Sequence, residues 1–167
     1  MIRKLVLDPD ERLKKISKSI EIIDDNIKQL VNDMFETMYH NNGIGLAAVQ
    51  VGELIRLLVM DVEQYEDGSS QMCFINPKIT YKSKELFNFS EGCLSFPKSY
   101  QEISRPAIID VEYQDINGKK KKLNKIDGLL AVCIQHEMDH LDGITILDHN
   151  SDKIENELFC NNYNNMK

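Results

Sequence analysis

The chain has 167 residues, 42% of them hydrophobic and 28% charged, a composition that predicts one globular domain spanning residues 1–167. The net charge of −7 argues against a broad nucleic-acid surface, so no direct nucleic-acid readout is expected. No apolar stretch approaches the ~20 residues of a membrane span, and the N-terminus becomes charged too early for a signal peptide. We therefore expect a cytoplasmic protein without membrane contact.

The first predicted elements are helical. A short helical turn is expected at Pro9–Leu13, with the proline near its start. Residues 24–41 predict an amphipathic helix, because apolar side chains recur there at helical spacing. Asp24 or Asp25 can cap its start. The segment Asn41–Gly43 is predicted to end it, with the glycine able to adopt the left-handed conformation.

The pattern then changes to short β-rich runs between residues 54 and 113, and a proline break is expected after Pro77. A turn is predicted at Asn117-Gly118, with a strand returning from it. The predicted strands are Ile55–Met60, Cys73–Pro77, Lys78–Tyr81, Ala107–Tyr113 and Lys120–Leu123.

Two more helices are predicted towards the end of the chain. Gly128–Leu141 is largely apolar before His136, which indicates a buried helix. Ser151–Asn161 predicts a short last helix, followed by a frayed tail at Asn161–Lys167. The elements together predict an α+β fold, in which mostly antiparallel β-sheets pack around the central helix at Gly128–Leu141. An N-terminal amphipathic helix and a short C-terminal helix complete it.

The central helix carries the strongest chemical signal, the HExxH segment from His136 to His140. Helical residues four apart lie on one face with β-carbons about 5–6 Å apart, so both imidazoles can bind one metal ion. Glu137 points beside that ion, where it can take a proton from a metal-bound water. The alternative is a surface pair of histidines. The apolar run Leu129–Ile134 disfavours it, because a polar patch at the end of a buried helix needs partners.

A catalytic metal site of this type needs a third protein ligand. Residue 146 is isoleucine, which excludes the histidine of the metzincin pattern. Glu155 or Glu157 downstream would complete a thermolysin-like set and predict an endopeptidase. Cys93 upstream would give a Cys/His/His set with a softer, more electron-donating thiolate. A closed structural site in a binding module, with His149 as the spare ligand, is the non-enzymatic alternative.

A third segment, Gly43–Gln50, follows the first helix. Small residues after a helix usually form a tight turn. The functional interpretation is a backbone exposed to an extended peptide, with the Gln50 amide as a hydrogen-bond donor.

Three complete motifs, in this order, closely resemble those of the peptide deformylase family: Gly43–Gln50, Glu91–Ser95 and Gln135–Gly143. The resemblance extends from about Pro9 to Gly143. It implies a metal-dependent amidohydrolase that removes the formyl group from the initiator methionine of newly synthesised polypeptides and releases formate. The expected partners are N-formylmethionyl peptides.

The resemblance also implies a metal site. Cys93, His136 and His140 would bind one divalent ion, Fe²⁺ in the native enzyme, with Zn²⁺, Ni²⁺ or Co²⁺ able to substitute. Glu137 would be the general acid and base. Glu91 with Arg105 would form a supporting pair behind the ligands.

Substrate contacts follow from the same resemblance. Gln50 and the Leu94 backbone N–H would stabilise the oxyanion of the reaction. The backbone after the first helix would pair with the peptide as an added strand; its residues are Gly43, Ile44, Gly45 and Leu46. The pocket for the methionine side chain would be formed by Ile44, Leu129 and Cys133, although a plain core role for Cys133 fits the sequence as well.

Two positions depart from the pattern of many relatives. Lys98 follows Phe96-Pro97 where many relatives have glycine. Relatives often end in a longer, basic helix that contacts the ribosome. Here Asp148–Lys167 is short and not basic, so the sequence does not favour a transient ribosome contact through that element.

Overall fold

The described part of the chain, residues 1–65 and 68–149 of a computed structural model, contains seven strands, two α-helices and two 3₁₀ turns, and it ends in helical residues 146–149. The predicted helix at 151–161, the tail after it, and Glu155 and Glu157 lie outside the described residues. The 3₁₀ turns are Glu11–Lys14 and Ala48–Val51. In chain order the other elements are α1 (Asp25–His40), β1 (Gly45–Ala47), β2 (Leu57–Met60), β3 (Met72–Lys82), β4 (Leu86–Cys93), β5 (Phe96–Pro106), β6 (Ile109–Gln114), β7 (Lys120–Ile126) and α2 (Gly128–Leu141).

A five-stranded antiparallel sheet, in the order β1-β2-β3-β6-β7, lies between the two α-helices. All four side chains of β2 are buried. Because successive side chains point to opposite sides, both faces of the strand are covered. Leu57 and Val59 pack in the core cluster that contains α1, whereas Leu58 and Met60 pack in the cluster that contains α2. The predicted α+β fold around a central helix is confirmed.

Helix α1 begins as predicted but ends differently. The Asp24 carboxylate caps it by accepting a hydrogen bond from the Ile27 N–H at 3.0 Å. The left-handed residue after the helix is Asn42, with φ of 57°, and not Gly43, so that prediction was wrong. Asparagine tolerates this conformation because its short polar side chain can bond locally. Gly43 is instead packed closely against Leu94: an added Cβ would lie 2.6 Å from Leu94 Cδ1.

The expected break at Pro77 is absent, because β3 runs through it as one strand. The pairing of β3 with β6 shifts register between Ile75 and Lys78, and this irregularity accommodates a proline that cannot donate a ladder hydrogen bond. Asn76 adopts φ of 50° there. Its side chain accepts from the Ile20 N–H and donates to the Ile20 carbonyl, both at 2.8 Å. The asparagine thereby ties the N-terminal segment to the sheet.

The two-stranded hairpin of β4 and β5 was not predicted as a structural element. All five β4 residues before Glu91 are exposed, so the run lacks the alternation that marks a half-buried strand. Strand β7 begins at Lys120 as predicted, and the other boundaries of β6 and β7 differ from prediction by one to three residues. The early 3₁₀ turn begins at Glu11, two residues after Pro9, and is capped by Asp10. Side chains of the hairpin formed by β4 and β5 contact helix α2.

The turn after α2 depends on glycine. Gly143 has φ of 71°, and an added Cβ would lie only 2.4 Å from the Lys14 carbonyl oxygen. Gly128, at the start of α2, has φ of 61° but nothing within 4 Å of an added Cβ. The two glycines therefore share the left-handed conformation and differ in the space available for an added Cβ.

We expect Gly143→Ala to lower the free energy of unfolding by about 2–4 kcal/mol, through left-handed strain plus a backbone clash. Gly128→Ala is the matched control and should lose about 1 kcal/mol from strain alone. Urea unfolding followed by circular dichroism measures both. Equal losses for the two variants would contradict the clash with Lys14.

Candidate metal centre

Helix α2 places both histidines of the HExxH segment in a buried position. His136 is 7% exposed and His140 1%, and their ring centroids are 5.2 Å apart. The apolar turns before them, including Ala131 and Ile134, anchor the helix in the core. The four-residue spacing thus directs two imidazoles to one point, as the sequence predicted.

The hairpin brings Cys93 to the same point from the end of β4. Its Sγ lies 3.3 Å from His140 Nε2. The candidate ligand atoms of Cys93, His136 and His140 all lie within 4.8 Å of one another, a spacing suited to one metal ion. No other such group exists among the described residues. His149, the spare ligand of the structural alternative, instead contacts Asp139, with Nε2 at 2.8 Å from Oδ2.

Glu91 connects the hairpin to the helix behind these three residues. Its Oε1 is 2.8 Å from His136 Nδ1, which leaves Nε2 of that ring for a metal. Arg105 donates to both Glu91 oxygens, at 2.7 and 2.9 Å. Burial raises the pKa of Glu91, but the hydrogen bonds from His136 and Arg105 outweigh it and lower the pKa below its usual value.

The network continues to the surface through a carboxylate that sequence reasoning did not single out. Arg105 Nη1 donates to Asp139 Oδ2 at 2.8 Å, and the same oxygen contacts His149. Asp139 follows Met138 inside the HExxH segment, so its position next to the ligands was the signal that could have identified it.

The two histidines differ in protonation. Burial lowers the pKa of His140 to about 3, so its ring is neutral and able to bind a metal. Burial also lowers the pKa of His136, but contacts with Cys93 and Glu91 raise it to about 10. A metal ion that binds His136 must therefore displace a proton.

Glu137 is a buried carboxylate beside the ligands. Burial is the main reason that its pKa is raised to about 7. Its Oε2 has no hydrogen-bond partner among the described residues. A carboxyl group that titrates near neutral pH can both accept and return a proton.

Gln50 reaches the same place from the second 3₁₀ turn. Its Oε1 accepts from the Ala47 N–H at 2.9 Å, which fixes the orientation of the amide. Its Nε2 then points to Ser95 Oγ at 3.1 Å and to Cys93 Sγ at 3.5 Å. Leu94 lies between these two residues in the link from β4 to β5.

A cavity of about 870 Å³ opens in front of Glu137. Gly43, Ile44, Gly45, Leu129 and Cys133, all predicted to contact substrate, line it. Leu46 does not, because its side chain is fully buried in the cluster that contains α1. Cys133 belongs to the core and to the cavity wall at once.

Several lining residues were not predicted from sequence to belong to the site, namely Phe89, Val132, Lys98 and Tyr100. Val132 is one helical turn before His136, and that spacing could have identified it. The other three lie on the hairpin, whose placement depends on tertiary contacts.

The strand β1 forms one edge of the five-stranded sheet and borders the cavity. Gly45 must lack a side chain there, since an added Cβ would lie 2.7 Å from Cys133 Sγ and 2.9 Å from Glu137 Oε1. Gln64 and Tyr65 donate to the carbonyls of Gly43 and Asn42, respectively. The backbone before β1 is thus fixed from outside the cavity.

The buried helix and the hairpin bring one thiol, two imidazoles and a carboxylate together at a cavity. This combination is typical of one class of protein, the mononuclear metallohydrolases. Comparison with known proteins narrows the class. A family model described as polypeptide deformylase matches residues 2–156. The peptide deformylase of Zymomonas mobilis is 50% identical over 145 residues, which cover 84% of this chain and 81% of that protein.

Solved structures give the same result. A peptide deformylase from Ehrlichia chaffeensis is similar with a TM-score of 0.83 and 45% identity, over 89% of this chain and 88% of that one. One from Thermotoga maritima has a TM-score of 0.84 and 38% identity, over 89% and 97% of the two chains. The chain therefore belongs to the polypeptide deformylase family, metal-dependent enzymes that remove the N-formyl group from nascent chains. No helix among the described residues is long and apolar enough to cross a membrane.

We expect Glu91→Gln to weaken metal binding by about 10–100-fold, because the neutral amide lacks the negative charge that stabilises the contacts with His136 and Arg105. Competition with a chelator measures the affinity. Glu102→Gln, an exposed change on β5 of the same hairpin, is the control and should bind metal like the parent protein. An unchanged affinity in Glu91→Gln would contradict the supporting role of this carboxylate.

Proposed function

We propose that this chain hydrolyses the formyl group of N-formylmethionyl peptides, with one divalent ion held by Cys93, His136 and His140. The convergence of these three residues beside Glu137 is the observation that supports the proposal most directly. The activity would operate on nascent chains in the cytoplasm.

The residues fit a metal ion on chemical grounds. One thiolate and two imidazoles suit Fe²⁺, Zn²⁺, Co²⁺ and Ni²⁺, and we propose Fe²⁺ as the native ion. The unpartnered Glu137 Oε2 lies buried next to the ligands, where a polar guest would complete its hydrogen bonding. When bound, the ion supplies Lewis acidity, which polarises water and the formyl carbonyl.

Glu137 carries the protons of the reaction. It takes a proton from the attacking water, whose oxygen forms the new bond to the formyl carbon. It then gives that proton to the amine nitrogen as the C–N bond breaks, so formate and a free N-terminus result. A pKa raised to about 7 suits both transfers.

Gln50 and Leu94 stabilise the negative charge that develops on the formyl oxygen. The Ala47 hydrogen bond fixes the orientation of the Gln50 amide, so its Nε2 stays directed at the metal centre during the reaction. The Leu94 backbone N–H is the second donor in this proposal. Each donor of this kind contributes about 3–4 kcal/mol to transition-state stabilisation in acyl transfer.

The substrate backbone pairs with the segment Gly43–Leu46. The edge position of β1 leaves backbone groups available for an added strand. The methionine side chain then enters the apolar part of the cavity formed by Ile44, Leu129 and Cys133. Glycine at 45 allows Glu137 to lie directly against the strand with which the peptide pairs.

The direct test is formate release from formyl-Met-Ala-Ser. We expect the anaerobically purified, iron-loaded protein to release one formate per peptide, with lower rates for the zinc form. A coupled formate dehydrogenase assay measures the product.

Absence of formate with iron-loaded protein would overturn the proposal. Cys93→Ala separates it from the endopeptidase alternative with Glu155 or Glu157 as third ligand. On our proposal this variant loses the metal, whereas an endopeptidase of that type would retain it and cleave internal peptide bonds.

Glu137→Gln keeps the side-chain size and removes the proton acceptor. We expect kcat to fall by about 10²–10⁴-fold while the metal content stays at one ion per chain. Glu112→Gln, an exposed change on β6, is the control for protein handling. A Glu137→Gln variant with the parent kcat would assign the proton transfers to another group.

A further inference from the structure

The pairing of β4 with β5 is interrupted beside the cavity. Gly92 pairs with Tyr100, but the next residue, Cys93, pairs with Phe96. The three residues from Pro97 to Ser99 therefore bulge out of the hairpin, and all of them line the cavity.

Lys98, in the middle of this bulge, has an unfavourable backbone conformation. It is exposed, and its φ is 63°. Glycine adopts such angles freely, whereas a residue with a Cβ is disfavoured. The backbone alone would favour glycine at this position. The presence of lysine therefore suggests that the lysine side chain has a function.

The charges around this part of the cavity are basic. Lys4 and His40 are exposed and line the cavity together with Lys98. Arg3 also lines it but is paired, with Asp33 at 3.0 Å and Glu53 at 3.1 Å.

The carboxylates of the cavity lie elsewhere. Among the described lining residues only Glu91 and Glu137 carry one, and both are buried at the metal centre. A chain with a net charge of −7 thus presents unpaired basic side chains at the open part of its cavity.

A bound peptide would pass this region after its first two residues. Residues 40–45 all line the cavity, and Gly45 at one end of this segment lies beside Glu137. An extended peptide advances about 3.3 Å per residue, so the side chains after its second residue would lie towards the His40 end of the segment.

We propose that Lys98 and Lys4, which line the same cavity as His40, form a basic rim that selects formylated peptides with aspartate or glutamate at the third position. This inference rests on the proposed deformylase function and adds a preference to it. Exposed charges in a cleft attract an opposite charge on the substrate and repel a like charge.

The test compares three amidated peptides, formyl-Met-Ala-Asp-Ala, formyl-Met-Ala-Ser-Ala and formyl-Met-Ala-Lys-Ala, by kcat/KM. Amidation removes the terminal carboxylate, so the third side chain is the only variable charge. We expect the aspartate peptide to exceed the lysine peptide by about two- to five-fold for each rim charge that it meets, at low ionic strength. The ratio should fall towards one in 0.5 M salt, because exposed pairs are screened.

Lys98→Gly gives the sharper test, because it should relieve the backbone strain at residue 98 and weaken recognition of the acidic peptide. We expect its Tm to rise and its aspartate-to-lysine ratio to fall. Lys125→Gly is the matched control: Lys125 is also exposed and left-handed, with φ of 53°, but lies on β7 and does not line the cavity. This variant should gain Tm and keep the parent ratio.

A parent ratio of one, or a ratio retained in Lys98→Gly, would overturn the basic rim. Failure of the proposed function would look different, since the neutral serine peptide would then release no formate. Charge reversal by Lys98→Glu should lower the aspartate-to-lysine ratio below that of Lys98→Gly, and a ratio equal to the parent's would also count against the proposal.

Discussion

The contact between Glu91 and its two partners, Arg105 and His136, is the interaction on which the rest of the structure depends. It joins a hairpin with largely exposed strands to a buried helix, and it is itself almost inaccessible to water. Removing one member would leave a buried charge without compensation, which is costly. The same carboxylate contacts the His136 ring, so the packing of the hairpin and the geometry of the candidate metal centre both depend on one side chain.

The position of this contact explains why residues far apart in sequence meet at one point. Helix α2 is held by the sheet core, and the hairpin has few apolar contacts of its own beyond Phe96 and Ile103. The ion pairs to Arg105 therefore set where Cys93 lies relative to the helix. Glu137 of α2 is buried beside Gly45 of β1, and its raised pKa is a consequence of that burial.

Much of this arrangement was predictable from sequence, for identifiable reasons. The apolar run before His136 predicted α2 with its observed limits, and the four-residue spacing of His136 and His140 predicted that the two imidazoles meet. The hairpin was not predicted, because exposed strands carry little alternation. Lys98 was visible only as a departure from relatives, since its placement at the cavity depends on the register shift between β4 and β5. Asn42 took the left-handed position expected for Gly43, a local choice that the sequence left open.

The short edge strand β1 has a consequence for turnover. Three residues offer few main-chain hydrogen bonds, each with a net contribution of about 0.5–1.5 kcal/mol. A peptide held mainly by such bonds and by one apolar side chain is bound weakly, so a charge preference at a downstream residue changes its affinity only modestly. On the proposed function, this suits an enzyme whose substrates share only their first residue, because each product must leave before the next chain can be processed.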